Sequence, residues 1–292
     1  MKRRTLLTFV LLGMLSSAAL ADPLGGRLQR IKDTGVLVIA HGETGVPFSY
    51  VGKTGPVGFG VDISRRVADE IRRQVGLNEI RIRWNPVTLS TRFPMIVTNT
   101  VDLECITTTN TKARQQLVAF SNTFHISEEG IATRRDSGIK DYSDLVGKRV
   151  AVVRDTSTER ALLARGIALT LVPERSHLNA VKALNDRRAD AYVQSASIIA
   201  GGLLGLKDPA PFHIVGSGGY KEAFGCMLPK DDAAFKKVVD QALVSLMTSG
   251  EMERLYNKWF MSSIPPYGRN LGFPLSEENR KLYAAPNDIA FE

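Results

Sequence analysis

The chain has 292 residues, with 38 Lys and Arg against 30 Asp and Glu, a formal charge of +8. The positive charges are scattered, and no long basic run is interleaved with aromatic residues, so nucleic acid is not an expected partner. Two cysteines, Cys105 and Cys226, are too few for a structural zinc site, and His41, His125, His177 and His213 have no ligand spacing. Neither a metal nor a cofactor is expected, and the even thiol count permits one disulfide.

Residues 1–21 begin with Lys2, Arg3 and Arg4, continue in an apolar run over 5–15 and end in Ala19-Leu20-Ala21, the pattern of a cleaved secretory signal. No later stretch reaches the ~18 apolar residues of a membrane span. The mature chain, 22–292, is therefore expected to be soluble and exported. Without the three basic residues of the signal it carries a charge of +5, and its 271 residues suffice for one large or two medium domains.

From there the pattern is α/β. A strand is predicted over 36–40, followed by a loop with Pro47 and glycine punctuation through Gly60. Ile63, Val67 and Ile71 then recur at four-residue steps and mark the inner face of a helix. Ile80, Ile82 and Trp84 alternate with charged residues, as in a strand. A short helix from about Ser90 tolerates Pro94 in its first turns and leads to a buried strand over 101–106. A second set of βα units follows: a short helix over 141–145, a strand over 149–153, and a helix over 157–165 with Thr156 and Ser157 at its start. Next come a strand over 169–172, a helix over 177–187 and strands over 191–193 and 213–215. Segment 224–228 reads as a returning strand and 232–248 as a helix with Phe235, Val239, Ala242 and Leu246 on one side. Segment 256–260 is aromatic, and 261–292 reads as a Pro-rich tail packed as loops.

The chemistry concentrates in 101–122. Thr107, Thr108 and Thr109 follow a predicted strand at its C-terminal end, where open α/β sheets place their ligands. Arg114, five residues after Thr109, can return over the strand end and grip a carboxylate with two parallel hydrogen bonds. On spacing alone, the same residues also describe a polar turn followed by a solvated arginine. The order Glu-Cys-Ile-Thr-Thr-Thr-Asn-Thr-x-x-Arg-Gln over 104–115, ending in Ala-Phe-Ser-Asn-Thr at 119–123, is joined by Val-Pro-Phe-Ser-Tyr at 46–50 and Gly-Cys-Met-Leu at 225–228. Trp-Phe at 259–260, Ile-Pro-Pro at 264–266 and Pro-Asn-Asp at 286–288 complete the series. Together they resemble the periplasmic amino-acid-binding proteins of ABC importers, and within them the glutamate/aspartate-binding branch. The likeness covers nearly the whole mature chain.

That resemblance implies a two-lobed α/β binding-protein (Venus-flytrap) architecture with two hinge crossings, lobe one comprising 22–130 and 220–292 and lobe two 131–219. Closure about the hinge would trap the ligand. It also implies a Cys105–Cys226 disulfide, which would close a loop of more than a hundred residues and contribute about 4–5 kcal/mol. The ligand's α-carboxylate would lie on Arg114, helped by Thr109, and a second carboxylate on Arg92. Thr107 would bind polar atoms of the ligand, Thr156 would close over the carboxylate from a lobe-two helix start, and His177 would lie near the distal carboxylate. Phe48 would line the pocket wall. The implied partners are a small carboxylate or amino-acid ligand and the membrane permease of an ABC importer, the protein itself being a monomer.

Three positions depart from the family pattern. Gly42 stands where the branch has an arginine, and Leu89 where it has a serine. Ser195 stands where the wider family places the aspartate that neutralises the ligand's ammonium. A buried ammonium with only neutral acceptors is costly. With Arg92, Arg114 and a protonated His177 around the cleft, the expected balance favours net-negative ligands, and an organic dicarboxylate without an ammonium competes with glutamate or aspartate. The enzymatic alternative is a cyclohexadienyl dehydratase on the same fold, which needs a general acid in the cleft. Glu43, Glu104 and Glu159 are its candidates, each more simply solvated or structural, so binding rather than catalysis is expected.

Overall fold

The computed structural model describes residues 24–216 and 218–291; the predicted signal, 1–21, lies outside them. The elements run α1 (Gly26–Thr34), β1 (Val36–His41), β2 (Thr44–Gly45), β3 (Ser49–Gly52), β4 (Gly55–Val57), α2 (Phe59–Gln74), β5 (Arg81–Pro86), α3 (Arg92–Val97), β6 (Leu103–Glu104), α4 (Lys112–Gln115) and β7 (Ala119–Arg134). After a 3-10 turn at Tyr142–Leu145 come β8 (Arg149–Val153), α5 (Ser157–Ala164), β9 (Thr170–Glu174), α6 (His177–Asn185), β10 (Ala191–Ser195), α7 (Ala196–Leu204) and β11 (Phe212–Val215). The chain ends with β12 (Lys221–Leu228), α8 (Ala233–Thr248), α9 (Glu251–Phe260) and α10 (Glu277–Ala284).

β7 organises the molecule. Its first part pairs antiparallel with β12, from Ala119 opposite Leu228 to Glu128 opposite Lys221. Its last part pairs with β10 and β11, Glu129 lying opposite Ser195 and Ile131 opposite Val215. The strand order β5-β1-β6-β12-β7-β10-β8-β9 therefore has one set of βα units on each side of β7. Apolar side chains gather into separate cores: Ile39, Leu103, Phe124 and Tyr256 belong to the first side, Ala151, Leu184, Tyr192 and Ile199 to the second. Burying the inward stripe of α2 (Ile63, Val67, Ile71) and of α8 (Phe235, Val239, Ala242, Leu246) against the first side is what holds those helices.

The two chain crossings are tied to each other. The Glu129 N–H donates to Tyr220 O at 2.9 Å. The Glu129 carboxylate accepts from Tyr142 OH at 2.7 Å and from Arg165 Nη2 at 2.8 Å, and Arg165 Nη2 also donates to Gly218 O at 2.8 Å. Burial raises the Glu129 carboxyl above the usual carboxylate range. The implied disulfide is present, joining Cys105 just after β6 to Cys226 on β12.

Several expectations change. The strand expected over 101–106 is only Leu103–Glu104, because the chain then turns toward the cleft and Asn110 N–H donates across to Ala223 O at 2.7 Å. The tail expected as loops contains α10: Ser276 caps it, Glu277 and Glu278 occupy its first turn, and Leu282 and Tyr283 are buried. Asn279 anchors it to β7, accepting from Ile126 N–H at 2.8 Å and donating to Ile126 O at 2.7 Å. Helix α7 was not predicted, since Ser197, Ile198, Ile199, Gly201, Leu203 and Leu204 are buried around its circumference and leave no amphipathic period to read.

Phe48, expected on the pocket wall, is instead fully buried in an aromatic box with Phe59, Phe224 and Phe260. A ring of that size gains more from complete burial against other rings than from a half-wet cleft. His125 lies in the same box, its ring 5.3 Å from Phe48 and 5.7 Å from Phe260. Neither of its nitrogens has a hydrogen-bond partner among the described residues, and burial pushes its pKa down to about 3. The folded state thus keeps this imidazole neutral, whereas the unfolded chain takes up a proton below ~6.5. Stability from this group is intact above that pH and is lost as pH falls toward 3. His125→Leu is therefore expected to gain about 2 kcal/mol on wild type between pH 8 and pH 5. Denaturant unfolding of both proteins at the two pH values measures it, and an unchanged difference would show that the imidazole is not held neutral.

Candidate functional site

Arg92, Thr107, Thr109, Arg114, Thr156 and His177 line a single, nearly closed cavity between the lobes, about 10 Å³ in volume, together with Leu89, Ser157, Gln194, Ile198 and Glu222. Two of the predicted residues, Phe48 and Ser195, do not line it.

Local capping sets Arg114. The Thr111 hydroxyl accepts from Arg114 N–H and starts the single turn α4, which sends the side chain back so that Nη1 donates to Thr109 O at 2.9 Å. Burial, and then the neighbouring Arg92, lower its pKa to about 10, which leaves it cationic at neutral pH. Arg92 opens α3 and is buried, and its Nε has no hydrogen-bond partner among the described residues. The Phe93 ring lies beside both guanidiniums, 5.6 Å from Arg92 Cζ and 5.4 Å from Arg114 Cζ, so its negative face eases the burial of two like charges. Behind Arg92 sits Glu104, fully buried and accepting from the Thr108 hydroxyl at 3.0 Å. Burial raises the Glu104 pKa, and Arg92 opposes the rise.

Lobe two closes the cavity with helix starts. Thr156 caps α5, accepting Glu159 N–H at 3.1 Å and donating to Val153 O at 2.8 Å. It is both a cap and a cavity residue, and the free N–H groups and dipole at this end of α5 favour an anion. His177 opens α6 with Nδ1 2.9 Å from Tyr192 OH. Burial, and then Arg92, push its pKa down to about 4, so the expected protonated His177 is replaced by a neutral imidazole.

The residue that the sequence reading missed is Glu222. It lies on β12 opposite Ser127, where the chain returns between the lobes. Its Oε1 accepts from Thr109 Oγ1 at 2.7 Å and from Ser157 Oγ. Its Oε2 accepts from Ser195 Oγ, with Thr158 Oγ1 at 3.3 Å. Hydroxyls of both lobes thus converge on one carboxylate. The expectation that Ser195 leaves an ammonium without an anionic partner is corrected: Ser195 stands behind the wall and holds a carboxylate supplied by another strand. The only sequence signal for it was one acidic residue leading an otherwise apolar strand, Ala223 to Leu228. With Glu222 set beside Arg92 and Arg114 in the lining, and His177 neutral, the expected cationic surplus shrinks. The lining can hold a zwitterion that carries a further anionic or carbonyl oxygen.

Close approach of the lobes depends on one glycine. A Cβ on Gly201 of α7 would lie 1.8 Å from Val46 O and 2.9 Å from Pro47 Cδ. Gly201→Ala is expected to hold the lobes apart and weaken ligand binding by about tenfold, since the closed state then carries the cost of the clash. Calorimetry gives the affinity and small-angle X-ray scattering the opening; unchanged values of both would refute it.

The chain is similar to known proteins. The family model described as bacterial extracellular solute-binding proteins, family 3, matches residues 37–262. The chain is 36% identical over 291 residues to an L-glutamate/L-aspartate-binding protein of Pseudomonas aeruginosa, a match spanning 98% of this chain and 96% of that protein. It is 33% identical over 283 residues to a glutamate/aspartate import solute-binding protein of Escherichia coli, spanning 95% of this chain and 94% of that one. A crystal structure of a mutant ArgBP from T. maritima superposes with a TM-score of 0.70 and 27% identity, over 80% of this chain and 99% of the other. The fold is accordingly the two-lobed binding-protein fold, and the curated relatives are solute-binding proteins rather than enzymes. With its central 37–262 matched by the family model, the chain belongs to the bacterial extracellular solute-binding proteins of family 3.

Proposed function

We propose that this protein, exported to the periplasm by removal of 1–21, captures glutamate or aspartate between its lobes and delivers it to the permease of an ABC importer. The observation that carries this reading is the Glu222 carboxylate facing the same cavity as Arg92 and Arg114. The α-carboxylate lies on Arg114 and the start of α5, and the ammonium on Glu222, whose hydroxyl partners rotate to admit it. The side-chain carboxylate reaches Arg92, with Thr107 and His177 beside it. An ion buried without its partner costs several kcal/mol. Glu222 therefore favours a ligand with an ammonium and disfavours a plain dicarboxylate. The names of the glutamate/aspartate-binding relatives support the same ligand class.

The test is calorimetry on refolded, ligand-stripped protein with glutamate, aspartate and glutarate. Glutamate and aspartate are expected to bind at least about a hundredfold more tightly than glutarate, a difference of about 2.7 kcal/mol. Equal affinities would overturn the assignment of Glu222 to the ammonium.

A further inference from the structure

Next to the closed cavity lies a second, larger chamber of about 230 Å³ that opens to solvent. The two share Leu89, Arg92, Thr107 and His177 as a common partition. Arg114, Ser157 and Glu222 line only the closed cavity, and Gly42, Thr44, Val87, Ile106 and Arg175 only the open one. An amino acid with its α-groups at Arg114 and Glu222 therefore points its side chain through this partition. Val87 and Ile106 are buried apolar wall, while Glu43 and Arg175 stand exposed at the chamber's edge, one from each lobe. The partition itself holds an unsatisfied donor: Arg92 is buried, and its Nε has no partner among the described residues.

We propose that the chamber is a subsite for ligands extended beyond the distal carbonyl, namely γ-glutamyl amides carrying a small apolar substituent on the amide nitrogen. This rests on the amino-acid reading above. A γ-carbonyl oxygen accepts from Arg92 as a carboxylate oxygen does, though more weakly. The amide N–H meets Thr107 and His177, whose Nδ1 is already engaged by Tyr192 OH, leaving Nε2 as its remaining hydrogen-bonding atom. The substituent then covers Val87, Leu89 and Ile106.

The experiment titrates ligand-stripped protein with glutamate, glutamine and L-γ-glutamylethylamide. Glutamine and the ethylamide present the same neutral γ-carbonyl and differ only in the group placed in the chamber. The ethylamide is expected to bind about tenfold more tightly than glutamine, the effect of burying two methylene-sized groups. Gly42→Leu and Thr44→Trp each fill the chamber from a different wall and should erase that advantage, with glutamate affinity changing less than about threefold. Gly42 has room for a side chain at the cost of one close contact, its Cβ position lying 3.1 Å from Ser49 O; should that variant not fold, Thr44→Trp decides. If wild type binds glutamate but the ethylamide no better than glutamine, the subsite is refuted and the receptor reading stands. If both variants weaken all three ligands equally, the chamber is not a separate subsite and the proposal falls. If glutamate itself does not bind, the receptor reading falls and the proposal with it.

Discussion

Arg114→Ala is expected to abolish ligand binding while leaving the apo protein folded. The guanidinium is buried and sits on a single-turn helix; among the described residues it donates to Thr109 O, with the Phe93 ring as its neighbour. Its removal therefore costs the apo fold little, and it relieves the repulsion from Arg92 that helps to lower its pKa. The ligand loses far more: a charge-assisted, two-pronged contact disappears and a carboxylate is left in a closed cavity without it. The expected loss is about 2–5 kcal/mol, thirtyfold to several thousandfold in affinity. Calorimetry with glutamate, beside thermal unfolding of the apo proteins, separates the two effects. Native affinity in the variant would place the carboxylate site elsewhere.

Glu222→Gln should do almost as much damage, but selectively. The side chain keeps its shape, and its oxygen still accepts from Thr109 or Ser195, while the negative charge is gone. Glutamate should bind at least about a hundredfold more weakly, because its ammonium is buried against neutral acceptors only. Glutarate, which has no ammonium, should bind equally well or better, since the carboxylate that repelled it is removed. Parallel loss for both ligands would show that Glu222 is a structural brace across the lobes. The same geometry also sets the expectation for position 195. An aspartate there would set a second carboxylate against Glu222, where the Ser195 hydroxyl now donates, so Ser195→Asp should weaken amino-acid binding rather than strengthen it.

The sequence by itself determined what depends on neighbours along the chain. The four-residue recurrence of Ile63, Val67 and Ile71 predicts α2, because a helix brings such residues onto one face. The five-residue step from Thr109 to Arg114 brings the Thr109 carbonyl and the guanidinium together through local turn geometry, and Thr111 supplies the cap that makes it so. The resemblance of the ordered motifs added Arg92, Thr107, Thr156 and His177, and these do meet in one cavity.

Tertiary structure decided the rest, because burial and charge are properties of what surrounds a residue rather than of its position. His177 sits where the resemblance put it, yet its charge follows from desolvation and from Arg92 across the cleft. Phe48 belongs to a recognisable motif, yet four other rings draw it into the core. Helix α7, buried on all sides, shows no period because both faces find apolar partners. Ser195 and Glu222 are 27 residues apart in the chain, and no local pattern links a serine ending one strand to a glutamate beginning another. Only the return of β12 alongside β7 brings them into contact, and with that contact comes the carboxylate that an amino-acid ligand requires.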